Sequence, residues 1–250
     1  MPAPSISCAA ELLLEARTSG QPLETLPAAL MPATIEEAYA IQDRVTAALG
    51  PIGGWKTAPA NNGVRFNWAP IPATGIFPDA AEIALSTFPR SALELEIGFL
   101  VRRNLPPQQA PYGRDAVVDA LGDMRVCLEL FASRYADRAA RSPLEQLADG
   151  QNAAGIIVGT GVAHWQELDL GNTALALDYA GATHRLTGGR GLDDLIEACV
   201  ALANGTDRLG GLRAGQAIIT GARIGPIAAS AAGPVRARID PVGTVTAILR

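Results

Sequence analysis

Two glutamates inside one apolar stretch place the strongest constraint on how this chain folds. In residues 91–101, large apolar residues recur at every second position, which predicts a β-strand. The alternation puts Glu94 and Glu96 on one face, about 7 Å apart along the strand. Two carboxylates this close repel each other unless water or a cation separates them, and they suit a hard divalent ion. The alternative is an antiparallel strand whose polar face is wet, which Leu100 on that face weakly opposes.

A second strand-like run contains one more glutamate. Residues 124–131 are largely apolar, and Glu129 shares its face with Cys127 and Phe131. Such surroundings are poor for a carboxylate without a partner. Together with the first two glutamates, Glu129 can complete an oxygen-ligand site for Mg²⁺ or Mn²⁺.

The composition is that of a folded, acidic protein. Of the 250 residues, 48% are hydrophobic and 18% are charged, so the chain can bury a sizeable core as one large domain or as a small domain plus a larger one. The net charge of −5 leaves no basic stripe for a nucleic acid, so we expect no nucleic-acid partner.

The apolar runs and the cysteines indicate the cellular compartment of the protein. No run approaches the roughly 18 apolar residues that a membrane span requires, and the first residues lack the basic and apolar regions of a signal peptide. Cys8, Cys127 and Cys199 are odd in number and widely spaced, as is typical of reduced thiols. We therefore expect a cytoplasmic protein with no membrane partner.

Lys56 is the single lysine among 20 basic residues. A chain that uses arginine wherever a general positive charge suffices retains a lysine where a compact amine that can titrate is needed. The alternative is one surface lysine kept by chance.

The first 50 residues are predicted to form a small helical subdomain, followed by a larger domain over residues 51–250. One helix is expected over residues 7–20. A second begins at the capping box of Thr34 and Glu37 and runs to about residue 49, where Gly50 ends it.

The rest of the chain is predicted to be rich in β-strands. The glycines and prolines of residues 53–72 favour a long irregular surface loop, through residues 61–63. A short helix is expected over residues 115–121 and an amphipathic helix over residues 192–204, with Gly205 as its stop. Alternating segments predict strands at 156–159, 174–179, 184–186, 217–220, 235–239 and 242–249, the last two as a closing hairpin. The fold class is α+β with mixed, largely antiparallel sheets.

Several short motifs follow one another in a set order along the chain. Glu94-Leu95-Glu96 is an E-x-E motif, Glu129 precedes the pair Ser133-Arg134, Lys56 lies in a glycine-containing loop, and residues 212–222 form a late signature. In this order the chain resembles the 2-keto-4-pentenoate hydratase and 4-oxalocrotonate decarboxylase family, within the fumarylacetoacetate hydrolase superfamily. The resemblance covers nearly the whole chain.

The resemblance implies a fold, a cofactor and roles for single residues. The fold would be a fumarylacetoacetate-hydrolase-like, C-terminal mixed β-roll with a small helical N-terminal part, assembled into homo-oligomers. The implied metal ligands for Mg²⁺ or Mn²⁺ are Glu94, Glu96 and Glu129. The other implied site residues are the catalytic Lys56, as an electrostatic or general-acid group, the catalytic Asp79, as a base, and the substrate-binding Arg134 and Asn152.

The implied activity is hydration of a 2-hydroxy-2,4-dienoate to a 4-hydroxy-2-keto acid in the catabolism of aromatic compounds. The alternatives are decarboxylation of a 4-oxalocrotonate-type 2-keto acid and a degenerate, non-catalytic family member. Gln151 and Ala154 replace a carboxylate and a hydroxyl of the family pattern, and the loop after Lys56 is unusual, which keeps these alternatives open. The expected partners are a small 2-keto acid or dienoate and an enzyme of the same pathway.

Overall fold

Two β-sheets that share one apolar core form the body of the protein. The computed structural model describes residues 4–59 and 66–250. Within those residues the strands form one sheet of seven and one of five, together with five α-helices. This mixture of helices and mixed sheets is the predicted α+β class.

The element bounds are as follows. The helices are α1 (Pro4–Ser19), α2 (Ile35–Leu49), α3 (Arg114–Ala120), α4 (Pro143–Ala148) and α5 (Leu192–Gly205). The strands are β1 (Ile52–Pro59), β2 (Phe66–Pro72), β3 (Ile76–Pro78), β4 (Ala81–Ile83), β5 (Ala92–Val101), β6 (Leu121–Phe131), β7 (Ala153–Val162), β8 (Ala174–Tyr179), β9 (Ala182–Thr187), β10 (Ala217–Ala228), β11 (Gly233–Ile239) and β12 (Gly243–Leu249).

The glutamate strand β5 lies at the centre of the seven-stranded sheet. The strand order is β2-β1-β10-β5-β6-β7-β3, and β5 pairs antiparallel with both of its neighbours. Its apolar face is fully buried, and each such side chain contributes about 1.5–3 kcal/mol by leaving water. That face packs into the core shared with the five-stranded sheet and α5, and its members are Leu93, Leu95, Ile97 and Phe99.

The second sheet confirms the strands predicted for the C-terminal half. Its order is β4-β12-β11-β8-β9, and β11 and β12 form the predicted closing hairpin, in which Ile239 stands opposite Gly243. The sequence predicts this part well because β8, β11 and β12 each have one buried face, which produces a clear period of two.

The prediction of an irregular loop over residues 53–72 is wrong for the described part of that segment. β1 and β2 instead form an antiparallel pair, and β1 also pairs in parallel with β10. Gly54 allows this approach, because a Cβ there would lie 2.8 Å from the carbonyl oxygen of Ala217. Pro70 and Pro72 are tolerated because β2 is an edge strand, where a missing N–H costs little. Residues 61–63 lie outside the described residues.

The two N-terminal helices form as expected. Thr34 caps α2 by accepting a hydrogen bond from the Glu37 N–H, but the Glu37 carboxylate accepts from Ala33 N rather than from Thr34 N. Their apolar side chains share a cluster with Tyr135 and with Leu147 of α4, so the helical part draws on residues beyond position 50. The boundary at residue 50 stays a prediction. None of the described helices is long and apolar enough to cross a membrane.

Gly205 is the last residue of α5, whereas the sequence predicted it just beyond the helix. Its role is close packing, because a Cβ at this position would lie 2.1 Å from the Trp68 ring. In an open helix, Gly→Ala stabilises by up to about 1 kcal/mol. Here the clash outweighs that gain.

We expect Gly205→Ala to destabilise the protein by about 1–3 kcal/mol, the usual cost of overpacking. The measurement is the free energy of unfolding in urea. Glu197→Ala, at an exposed position of the same helix, is the control and should change stability little. A Gly205→Ala protein as stable as the wild type, or more so, would contradict the packing argument.

Candidate active site

Three buried glutamates meet between β5 and β6. Glu94 stands directly opposite Glu129 in the antiparallel register, and Glu96 lies two residues along on the same face. One carboxylate oxygen of each lies within 4.8 Å of those of the others. Glu96 and Glu129 are fully buried and Glu94 is 7% exposed, so the alternative of a wet polar face is wrong.

Lys56 points into the same cluster. Its Nζ donates to both oxygens of Glu129 at 2.8 Å and lies 3.9 Å from Oε2 of Glu94. It also lies 3.5 Å from the carbonyl oxygen of Gln151 and 4.9 Å from the centroid of the Phe131 ring. The single lysine of the chain is therefore a buried member of the glutamate site, not a surface residue.

The late signature, residues 212–222, holds the lysine strand in place. β1 pairs with β10 so that Lys56 stands beside Ile219. Within the signature, Gln216 accepts a hydrogen bond from Trp55 Nε1 at 2.8 Å and donates from Nε2 to Ile52 O at 3.1 Å. These bonds fix β1 just before Lys56.

Burial and mutual charge set the protonation of the cluster. Burial raises the pKa of Glu94, Glu96 and Glu129 to about 7, against the opposing effect of the Lys56 charge. Burial alone would lower the pKa of Lys56, but the carboxylates around it, Glu129 foremost, raise it above its usual value. Lys56 is therefore protonated at neutral pH, a state that suits a cation or a proton donor rather than a base.

The donor set fits a divalent cation. Oε2 of Glu96 accepts from the Gly221 N–H at 2.6 Å, while Oε1 is buried without a hydrogen-bond partner in the described part of the chain. A buried carboxylate oxygen without a partner is costly, and an ion bound by three carboxylates would satisfy it. When all three carboxylates are ionised they outnumber the one lysine, and the excess negative charge of the pocket then favours a divalent cation.

Asp79, predicted as a catalytic base, lies elsewhere. It is exposed after the short strand β3, and its Oδ1 accepts from the N–H and the hydroxyl of Thr246 on β12. The carboxylate thus links the two sheets and is not brought to the glutamates.

Arg134, predicted to bind substrate, is committed to another partner. Its guanidinium pairs with the buried Asp149, through one carboxylate oxygen and the main-chain carbonyl, and also donates to Ala153 O at 3.3 Å. These are the contacts of a structural ion pair.

Asn152 is brought near the site but faces Gln146, to which Nδ2 donates at 3.4 Å. Its Oδ1 is buried and has no partner among the described residues. Asn152 and Gln151 both have positive φ, 62° and 52°, a conformation that costs free energy in non-glycine residues. This turn aims the Gln151 carbonyl oxygen at Lys56, a contact that the sequence does not signal.

Comparison with known proteins identifies the family. No family model matches the chain. A 2-keto-4-pentenoate hydratase of Paraburkholderia xenovorans (strain LB400) is 30% identical over an alignment of 251 positions, gaps included. The alignment covers 95% of this chain and 92% of that protein. The chain belongs to the 2-keto-4-pentenoate hydratase family. The resemblance based on the sequence motifs is thereby confirmed.

Solved structures of similar fold extend beyond this family. A 4-oxalocrotonate decarboxylase from Pseudomonas putida G7, complexed with magnesium and adipate, matches with a TM-score of 0.82 at 20% identity, over 100% of this chain and 99% of that one. A fumarylpyruvate hydrolase from Pseudomonas aeruginosa, with Mn²⁺ and pyruvate, has a TM-score of 0.55 at 14% identity, over 78% of this chain and 88% of that one. These likenesses confirm the predicted fold class.

The raised pKa values predict how stability depends on pH without metal. Folding raises the pKa of each carboxyl group from an ordinary value of 4.5 to about 7, so the folded protein binds these protons more tightly than the unfolded chain. The stability that each protonated group contributes is full below about pH 4.5 and is lost as pH rises through 7. We expect the Tm in chelator to fall between about pH 5 and pH 8, and to fall less in Glu96→Gln.

Thermal unfolding followed by circular dichroism measures this change. Glu82→Gln, at an exposed position, is the control and should leave the pH dependence of the wild type intact. An identical fall of Tm in Glu96→Gln and wild type would contradict the assigned titration.

Proposed function

We propose that this protein is a divalent-metal-dependent hydratase that adds water to a 2-hydroxy-2,4-dienoate and yields a 4-hydroxy-2-keto acid. Membership of the 2-keto-4-pentenoate hydratase family supports this proposal. The observation that carries it is the buried cluster in which Lys56 binds both oxygens of Glu129 beside Glu94 and Glu96. Burying three carboxylates in one place costs free energy, so a cluster of this kind is not expected in a purely structural core.

Glu94, Glu96 and Glu129 would hold the ion, and we propose Mg²⁺ or Mn²⁺, which prefer oxygen ligands. Once bound, such an ion supplies Lewis acidity toward the carboxylate and the 2-oxo oxygen of a 2-keto acid.

Lys56 has two tasks in this proposal. Its positive charge offsets part of the carboxylate charge, which would otherwise repel an anionic substrate. Because it stays protonated, Nζ can donate a proton to C5 of the dienol, and the proton that the 2-hydroxyl loses as it becomes a ketone restores the ammonium. Water then adds across C3 and C4, with its hydroxyl at C4 and its proton at C3. The bidentate contact with Glu129 and the Gln151 carbonyl hold the ammonium in one place, as a positioned proton donor requires.

We also propose that the protein acts in the cytoplasm as a homo-oligomer, alongside an enzyme of the same pathway. The buried thiols of Cys127 and Cys199 form no disulfide with each other or with Cys8, which suits a reducing compartment. Exposed apolar side chains such as Ile248 and Leu186 on the five-stranded sheet favour self-association.

Purified, metal-depleted protein provides the direct test. We expect it to consume 2-hydroxypenta-2,4-dienoate, followed by ultraviolet absorbance, only after Mg²⁺ or Mn²⁺ is added. The ion should also raise the Tm of wild type and of the control Glu82→Gln, but not of Glu96→Gln. Release of CO₂ from 2-oxohex-3-enedioate would instead support the decarboxylase. Turnover of neither substrate would contradict the enzyme proposal.

Substitution of Lys56 tests its role. We expect both Lys56→Arg and Lys56→Ala to lose about 10²-fold or more in kcat, the usual scale for one positioned acid–base or electrostatic group. Arginine keeps the charge, but its planar guanidinium does not fit a site shaped for an ammonium. Metal-dependent stabilisation should remain, because Lys56 is not a ligand.

The control is Arg236→Lys, on the far sheet, which should leave kcat unchanged. Near wild-type turnover by Lys56→Arg would make the single lysine an accident of composition.

A further inference from the structure

A cleft of about 330 Å³ opens next to the glutamate cluster. Its walls include Ala92 of β5 and Phe131 of β6, which stand directly opposite each other. They lie on the same strand face as Glu94 and Glu129, two residues further along, a distance of about 7 Å. The cleft is therefore the continuation of the active-site face toward solvent.

The charge of this cleft is positive. Arg90 and Arg138 line it, and none of the described residues in its walls is acidic. Within residues 4–59 and 66–250, neither guanidinium lies within 4.0 Å of a carboxylate. Arg90 only donates to Ser133 O, at 3.5 Å. The Arg138 charge acts on the more distant Glu94 carboxylate, whose pKa it lowers, but the guanidinium forms no ion pair with it. Two arginines beside one pocket, neither engaged in an ion pair among the described residues, are suited to an anion.

Phe131 connects the cleft to the catalytic lysine. The Cζ of Arg138 lies 4.7 Å from the centroid of this ring, and Lys56 Nζ lies 4.9 Å from the same centroid. The two cations are therefore less than about 10 Å apart. Stacking on the ring orders the Arg138 side chain, so less conformational entropy is lost when it binds a ligand.

We propose that this cleft binds the distal end of the preferred substrate, and that this end carries a carboxylate. The inference rests on the proposed function, and it states a preference within that substrate class: 2-hydroxydienoates or 2-keto acids with a second carboxylate several carbons from the first bind more tightly than the monoacids. Arg138 is the main specificity-determining residue, and Arg90, which lines the same cleft, assists it. The 2-oxo acid end lies at Lys56 and the glutamates, and the distal carboxylate lies at the guanidinium groups.

A groove of about 510 Å³ on the five-stranded sheet offers a contrast. It also contains arginines, but Asp178 lies in its wall, and Arg238 is already paired with Asp240 at 2.9 Å. The arginines of the groove therefore have acidic neighbours, which the described walls of the cleft lack. Arg236 in that groove provides a matched control for the loss of one exposed arginine.

The experiment compares two stable 2-keto acids that differ only in the distal carboxylate, 2-oxohexanedioate and 2-oxohexanoate. Calorimetry with the Mg²⁺-loaded protein measures both affinities, and pyruvate serves as a probe that reaches only the inner end. We expect the diacid to bind about tenfold or more tightly than the monoacid, the scale of one charged hydrogen bond. Arg138→Gln should remove most of this preference and Arg90→Gln part of it, whereas Arg236→Gln should leave it intact.

The outcomes separate the two proposals. The assignment of the cleft would be overturned if wild type bound the two acids equally well. It would also be overturned if the preference for the diacid survived in the Arg90→Gln/Arg138→Gln double variant. In either case, binding of pyruvate would still support the inner site. Failure of pyruvate and of both longer acids to bind would contradict the proposed function and the cleft together. Unchanged pyruvate affinity in Arg138→Gln shows that the variant retains its fold and inner site.

Discussion

The bidentate contact between Lys56 and Glu129 holds the site together. Without it, three carboxylates would face one another in a region closed to water, and each would favour its neutral form. The lysine lets part of this charge persist in the folded protein, and the charge in turn keeps the lysine protonated. Either charge alone would be costly, because an unpaired buried charge loses its hydration without gaining a partner.

Much of this site can be predicted from the sequence because its parts follow simple periodicities. Glu94, Glu96 and Glu129 appear as acidic residues inside apolar strands, and Lys56 appears as a compositional exception. Asp79 could not be placed in this way, because it follows the end of a short strand, and only the packing of two sheets decides where its side chain goes.

The hairpin of β1 and β2 and the cleft of Arg138 show the other limits of sequence reasoning. Glycine and proline usually break strands, but here glycine permits close pairing and proline lies at a sheet edge. Arg138 belongs to no regular element, and its stacking on Phe131, seven residues earlier, follows from the course of the chain after β6. The chemical type of such residues is visible in the sequence, but their contacts depend on the tertiary structure.

The strand order determines when the site can form during synthesis on the ribosome. β10 separates the lysine strand β1 from the glutamate strand β5, although β10 begins only at residue 217. The lysine and the carboxylates therefore cannot take up their final positions until β10 has been synthesised. A nascent chain that has passed β6 carries the three glutamates without the framework that brings their cation to them. Assembly of the site thus requires β10, and a chain truncated before residue 217 lacks the strand that joins β1 to β5.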